Sequence, residues 1–179
     1  MPHARRRRAP QTSRSAGGAA VAVGLDNASV DAVNLSHVEN PDGRVDVGKA
    51  LESNETLMFI YDLAPGESSS PYHYEYDEEW LLVVDGTVVV RTPDGEQTLG
   101  TGDLVRFPPG AAGAHKVMNR SDEPARTLMF SHMRGLAVSV YPDSDTIGVW
   151  PAGEADQLVF ERRTAVPWAH GEEGWQKAT

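Results

Sequence analysis

From residue 57 to residue 141 the chain never runs far without a turn signal. Short runs rich in Val, Leu and Thr recur: LMFIYDL (57–63), WLLVV (80–84), TVVVR (87–91), EQTL (96–99), LVRF (104–107), HKVMN (115–119), ARTLMFSHM (125–133) and AVSVY (137–141). Between them stand Pro65-Gly66, Asp85-Gly86, Pro93-Asp94-Gly95, the run Gly100 to Asp103, and Pro108-Pro109-Gly110. Runs this short, with turns about every 8–12 residues, predict an all-β sandwich or barrel. Asp85-Gly86 between two apolar runs predicts a tight hairpin. No amphipathic helix competes. Upstream, NPDG (40–43) reads as a turn and DVGKALES as a short helix or irregular chain. Past residue 141 the pattern breaks into PDSD, WPAGEADQ and PWAHGEEGW, with room for one strand or short helix at LVFERR. Trp150, Trp168 and Trp175 are expected to dock on the barrel or across a subunit interface, because large aromatics rarely stay solvated.

A chain of 179 residues with 40% apolar side chains can bury one core. It has no cysteine, so disulfides and thiolate metal sites are excluded and the cytoplasm is the natural compartment. Any metal must be held by His, Asp or Glu. The net charge of −10 is uneven. Residues 1–25 carry Arg5, Arg6, Arg7, Arg8 and Arg14 and no acid; taking these five from 16 leaves 11 basic against 26 acidic residues. The basic segment reads as a disordered tail. The acidic remainder argues against nucleic acid as a partner, since phosphate contacts need clustered Lys and Arg. No stretch approaches the ~18 apolar residues of a membrane span.

The stretch PYHYEYDEEW (71–80) sets Glu75, Asp77, Glu78 and Glu79 behind His73 at the entrance to WLLVV. Along an extended strand residues i and i+2 share a face. One face then runs His73, Glu75, Asp77, Glu79, Leu81, Val83. Carboxylates beside apolar side chains are costly unless something positive neutralises them, and the segment itself holds no cation. A divalent ion would serve two carboxylates and an imidazole together. Imidazole and carboxylate without sulfur suit Fe(II), Mn(II), Zn(II), Ni(II) or Co(II). His115, after the Gly-rich PPGAAGA, is the candidate for a further ligand. The competing reading is a solvated edge strand that gains solubility from its acids. Tyr61 and His132 are candidate pocket residues.

These residues resemble the two cupin motifs. The first, G-x5-H-x-H-x3-E-x6-G, is met by Gly66, His73, Glu75, Glu79 and Gly86. The second, G-x5-P-x-G-x2-H-x3-N, is met by Gly102, Pro108, Gly110, His115 and Asn119. Six residues rather than five separate Gly66 from His73, and four rather than two separate Gly110 from His115. The resemblance to small single-domain bacterial cupins implies a double-stranded β-helix, or jelly-roll barrel, over 26–145. It also implies a homodimer; the irregular stretch after the barrel, 146–179, is expected to be a C-terminal extension packing on the barrel or a partner subunit. By position it implies a divalent metal held by His73, Glu75, Glu79 and His115.

Glu75 stands where the family pattern has a second histidine. Two histidines and two carboxylates leave a divalent ion formally neutral, which favours Fe(II) or Mn(II). Three readings of Glu75 stay open: a ligand, an acid or base beside a three-ligand metal, or the mark of a centre that has lost its metal. The implied activity is metal-dependent chemistry on a small polar molecule, either dioxygenase-like or isomerase- or lyase-type Lewis-acid catalysis. The alternative is a non-catalytic module that binds a small ligand or metal, since one barrel hosts many functions.

Overall fold

The computed structural model describes residues 32–132, 135–151, 156–172 and 174, with a short pairing of β1 (Thr12–Ser13) and β2 (Val21–Ala22) further upstream. The rest of the basic tail expected over 1–25 lies outside the described residues, as does Trp175. The elements that follow are β3 (Arg44–Asp46), the one-turn helix α1 (Val47–Ala50), β4 (Thr56–Leu63), β5 (Tyr74–Glu75), β6 (Glu79–Asp85) and β7 (Thr87–Thr92). Then come β8 (Gly95–Gly100), β9 (Leu104–Phe107), β10 (Lys116–Met118), β11 (Ala125–His132), β12 (Leu136–Tyr141), β13 (Thr146–Pro151) and β14 (Leu158–Glu161). The turn spacing thus translates into an antiparallel jelly-roll barrel. Its sheets run β3-β4-β11-β6-β9, β10-β7-β8 and β14-β13-β12-β5.

Register decides which side chains meet. Tyr61 pairs with Thr127 and Thr127 with Val83; Phe59 pairs with Met129 and Met129 with Leu81. These rows face the interior, where Leu81, Val83, Val88 and Val117 are fully buried among Leu63, Val90, Leu99 and Phe107. The alternate side chains of the five-stranded sheet are also buried. Ile60, Leu128 and Val45 pack under Val38 and Val47 of the segment that crosses its outer face. A sheet covered on both faces needs strands that are apolar throughout, which is why 57–63 and 80–84 show so little polar alternation. Arg126 fastens that cover: it makes a bidentate pair with Asp62 (2.6 and 2.7 Å) and donates to the carbonyls of Leu35 (2.9 Å) and Val38 (3.1 Å).

The hairpin at Asp85-Gly86 forms as expected, with Gly86 at φ 80°. A Cβ there would sit 2.8 Å from the Pro124 carbonyl, so only glycine fits the turn. DVGKALES is helical over Val47–Ala50, capped by Asp46, which accepts from the Lys49 N–H at 2.8 Å. LVFERR supplies β14. The strand β13, TIGVWP, lies where the sequence predicts irregular chain; its Gly and Pro read as breakers, but the β12 ladder holds it in register from Leu136↔Pro151 to Tyr141↔Thr146. Trp150 docks within this sheet, whereas Trp168 stays 78% exposed. Among the described residues no helix is long and apolar enough to cross a membrane.

Asn119 closes the loop after β10. It is fully buried, donates to the carbonyls of Leu63 and Glu123 (2.8 Å each) and accepts from the Ser121 N–H at 2.9 Å. Asn119→Ala orphans those groups, and urea unfolding should show a loss of about 3 kcal/mol. A loss below ~1 kcal/mol would mean that water replaces the amide.

Candidate metal centre

The two motifs are joined by backbone pairing. The His73 N–H donates to the His115 carbonyl at 3.0 Å and the His115 N–H returns to the His73 carbonyl at 2.7 Å. Residues exchanging both bonds across an antiparallel bridge present their side chains on one face. The two imidazole centroids accordingly lie 4.7 Å apart. The same zipper continues through Ser69 N–H to the Val117 carbonyl (3.1 Å) and Gly66 N–H to the Asn119 carbonyl (2.9 Å). Glu79, the first residue of β6, reaches the same point: its Oε2 is 3.9 Å from Nε2 of each histidine. One donor atom from each of His73, Glu79 and His115 falls within 4.8 Å of the others.

The protonation pattern follows from the second nitrogens. His115 Nδ1 lies 2.9 Å from the Gly113 carbonyl and His73 Nδ1 lies 3.0 Å from the Pro71 carbonyl. A carbonyl only accepts, so each Nδ1 carries the proton and each Nε2 presents a lone pair. Burial pushes His115 down to about 4, helped by the neighbouring His73, and burial also lowers His73. Glu79 moves the other way. Burial first, then the charges of Glu75 and Asp77, push its carboxyl up to about 8. Contacts of 3.9 Å between neutral imidazoles and this carboxyl are neither hydrogen bonds nor ion pairs. His115 Nε2 is buried with no partner at all. An orphaned lone pair facing a second lone pair and a carboxyl is a fit for a divalent cation, which would satisfy all three. The Phe107 ring stacks on His115 at 3.7 Å between centroids and 8° between planes, which fixes the orientation of the imidazole.

Glu75 is placed differently. Its Oε1 accepts from the Ser139 hydroxyl at 2.6 Å, and that hydroxyl accepts from the Trp150 indole N–H at 2.9 Å. The indole hydrogen bond leaves the Ser139 proton for Glu75. Gly148 makes this reach possible: a Cβ there would lie 2.4 Å from the Trp150 ring. Glu75 is therefore not among the three converging groups, although it lines the same cavity of about 1050 Å³. Asp77, Tyr61 and His132 line it too. Burial raises the Tyr61 phenol above its usual value; the Arg44 charge opposes this, and the Glu79 and Glu75 charges add to it. Glu78 faces away, bonded to Arg106 and Trp80. Ser139 and Trp150 carry no signal of their own in the sequence, since only the β5–β12 and β12–β13 pairings bring them to Glu75.

A jelly-roll barrel with a His-Glu-His cluster at its mouth is the architecture of a cupin. Residues 59–131 match the Cupin domain family model. The chain superimposes on a sugar phosphate isomerase of the cupin superfamily from Silicibacter pomeroyi with TM-score 0.64 and 27% identity, covering 69% of this chain and 80% of that one. A proposed sugar phosphate isomerase from Acidithiobacillus ferrooxidans gives TM-score 0.62 at 22% identity, covering 69% and 78%, a likeness of fold alone. The tetracenomycin polyketide synthase protein TcmJ of Streptomyces glaucescens is 30% identical over 67 residues, 37% of this chain. The match spans 44% of that curated relative, less than half of its length. The matched segment is a cupin domain, and the barrel around it has the cupin fold.

Glu79 makes the metal-free site pH-sensitive. Its folded carboxyl is raised from the ordinary 4.5 to about 8, so the folded chain binds the extra proton between those values. Stability of the metal-free protein therefore contains a contribution that is lost as pH rises from the lower value to the upper. Glu79→Gln cannot ionise. In chelator, its urea midpoint should match wild type near pH 5 and exceed it at pH 8. A gap that stays constant over this range would remove the buried-carboxyl assignment.

Proposed function

We propose that this protein is a metal-dependent enzyme of the isomerase type, acting on a small polar substrate at a divalent ion held by His73, Glu79 and His115. The observation that carries the reading is the orphaned, buried Nε2 of His115, converging with donors of His73 and Glu79, two residues that line an open cavity. A purely structural metal would be enclosed by its ligands. Two neutral imidazoles and one carboxylate leave a divalent ion with a formal charge of +1; with hard oxygen and borderline nitrogen donors, Fe(II) and Mn(II) remain favoured. When bound, such an ion supplies Lewis acidity that polarises a substrate oxygen.

Glu75 is assigned the proton transfer. The Ser139 hydroxyl, itself tied to Trp150, holds its carboxylate in the cavity beside the three ligands. There it can take a proton from the carbon α to the carbonyl and return it to the former carbonyl carbon, while the α-hydroxyl proton passes to the former carbonyl oxygen. That rearranges the substrate with no net change in atoms. The apolar floor of Leu81, Phe107 and Met129 keeps bulk water from the inner side of the site. The Silicibacter pomeroyi relative, a sugar phosphate isomerase, supports this reaction class over oxygen chemistry.

Three outcomes test the assignment. The full chain should bind one divalent ion, with metal affinity falling roughly 100-fold or more in His73→Ala, Glu79→Gln or His115→Ala, read by competition with a chromophoric chelator. Glu75→Gln should keep its metal while turnover drops roughly 10²- to 10⁴-fold, read as solvent deuterium entering an aldose or ketose substrate by NMR. Because metal displaces the Glu79 proton, apparent affinity should rise with pH until the carboxyl ionises at about 8. Failure of wild type to retain metal after metal-supplemented expression would sink the reading.

A further inference from the structure

Seven arginines fall among the described residues, and six of them pair with a carboxylate. Arg91 holds Asp143, Arg106 holds Glu78, Arg120 holds Glu96, Arg126 holds Asp62, Arg162 holds Asp145 and Arg163 holds Glu161. Among the described residues Arg44 alone has none. In a chain of net charge −10, with Asp46, Glu52, Glu75, Asp77 and Glu79 lining the same cavity, a guanidinium that no carboxylate claims is an exception.

Arg44 is nonetheless held in place. It lies directly across from Tyr61 in the β3–β4 register, on the face that carries Phe59. Its guanidinium carbon sits 4.0 Å from the Phe59 ring centroid and 5.9 Å from that of Tyr61. Stacking on an aromatic face fixes the plane of the guanidinium and leaves N–H edges available. Asp46, two residues along β3, forms no ion pair with it and caps α1 through the Lys49 N–H at 2.8 Å. Arg44, Phe59 and Tyr61 line the cavity that also contains His73, Glu75 and Glu79. One part of the guanidinium hydrogen-bonds the Tyr61 phenol, and its remaining N–H donors, held in a plane, match the oxygens of a carboxylate or phosphate.

We propose that Arg44, seated on Phe59 and Tyr61, is an oxyanion subsite in the wall of the metal cavity. The substrate class is then a small hydroxylated carbonyl compound that carries a carboxylate or phosphate remote from the reacting oxygen. This rests on the metal reading for the reacting end of the substrate and on Arg44 alone for the anionic end. The two ends can therefore fail separately. The division of labour suits the local charges: the acids of the centre repel an oxyanion, so an anionic tail needs its own cation away from them.

The test uses the full chain loaded with Mn(II) and calorimetric titration with three probes: ribose 5-phosphate, ribonate and ribose. Wild type should bind one of the two charged probes more tightly than ribose, and which one it is distinguishes phosphate from carboxylate. Arg44→Met should weaken that probe roughly 10- to 100-fold and leave ribose and Mn(II) affinity unchanged. Arg44→Lys, which keeps the charge but loses the fork, should recover only part of the loss. Because Arg44 is exposed, circular dichroism of the variants should match wild type. The proposal is overturned if wild type prefers neither charged probe to ribose. It is also overturned if Arg44→Met changes the preferred probe by less than twofold, or weakens ribose equally. Repeating the titrations on His115→Ala in chelator separates the two ideas. An Arg44-dependent preference that survives without metal supports the subsite even if wild type proves to bind no ion.

Discussion

The reciprocal backbone bond between His73 and His115 is the constraint on which the site depends. It ties the strand entering the barrel at β5 to the strand leaving the Gly-rich loop before β10. An antiparallel pair that exchanges both hydrogen bonds has almost no freedom in side-chain direction. Once the two histidines oppose each other on the inner face, each Nδ1 has its own local carbonyl and each Nε2 must face inward. Glu79 completes the group because β6 is anchored between β9 and β11. No side-chain contact has to be found by chance; the ladder delivers all three.

The same barrel explains why so many acids are tolerated at one end. Leu81 and Val83 continue the face of Glu79 into a sealed apolar interior, so the polar part of that face is confined to the mouth. There three of the four acids have separate solutions. Glu78 leaves the cavity for Arg106, Glu75 is held by Ser139, and Glu79 keeps a proton in the absence of a cation. The electrostatic tension evident in PYHYEYDEEW is thus real and local. It falls mainly on Glu79, the acid most withdrawn from solvent among those facing the histidines.

Much of this architecture is legible in the order of the residues. Gly86 and the apolar runs on either side of it dictate a hairpin through backbone sterics alone, and the resemblance to the cupin motifs points to His73, Glu79 and His115 together. Alternation also sets Glu75 on the inner face, but does not say what its carboxylate touches. That contact depends on Ser139 and Trp150, which reach it through the pairing of three strands. Arg44 is equally silent in the sequence, since its meaning emerges only when β3 pairs with Tyr61. Strand β13 is obscured by Gly148 and Pro151, residues that usually end strands; here the glycine makes room for the Trp150 ring. Local chemistry reads well from sequence, whereas register between distant strands does not.

Several groups that shape this cavity lie outside the stretch that matches the family model. Residues 59–131 hold His73, Glu79 and His115, but not Arg44, Ser139, Gly148 or Trp150. A relative could share the whole matched segment and still lack the anion anchor and the partner of Glu75. Inheritance of a reaction name among such chains should therefore be judged at the flanks of the barrel. In this chain the strands on either side of the matched segment supply Arg44, Ser139 and Trp150 to the cavity wall.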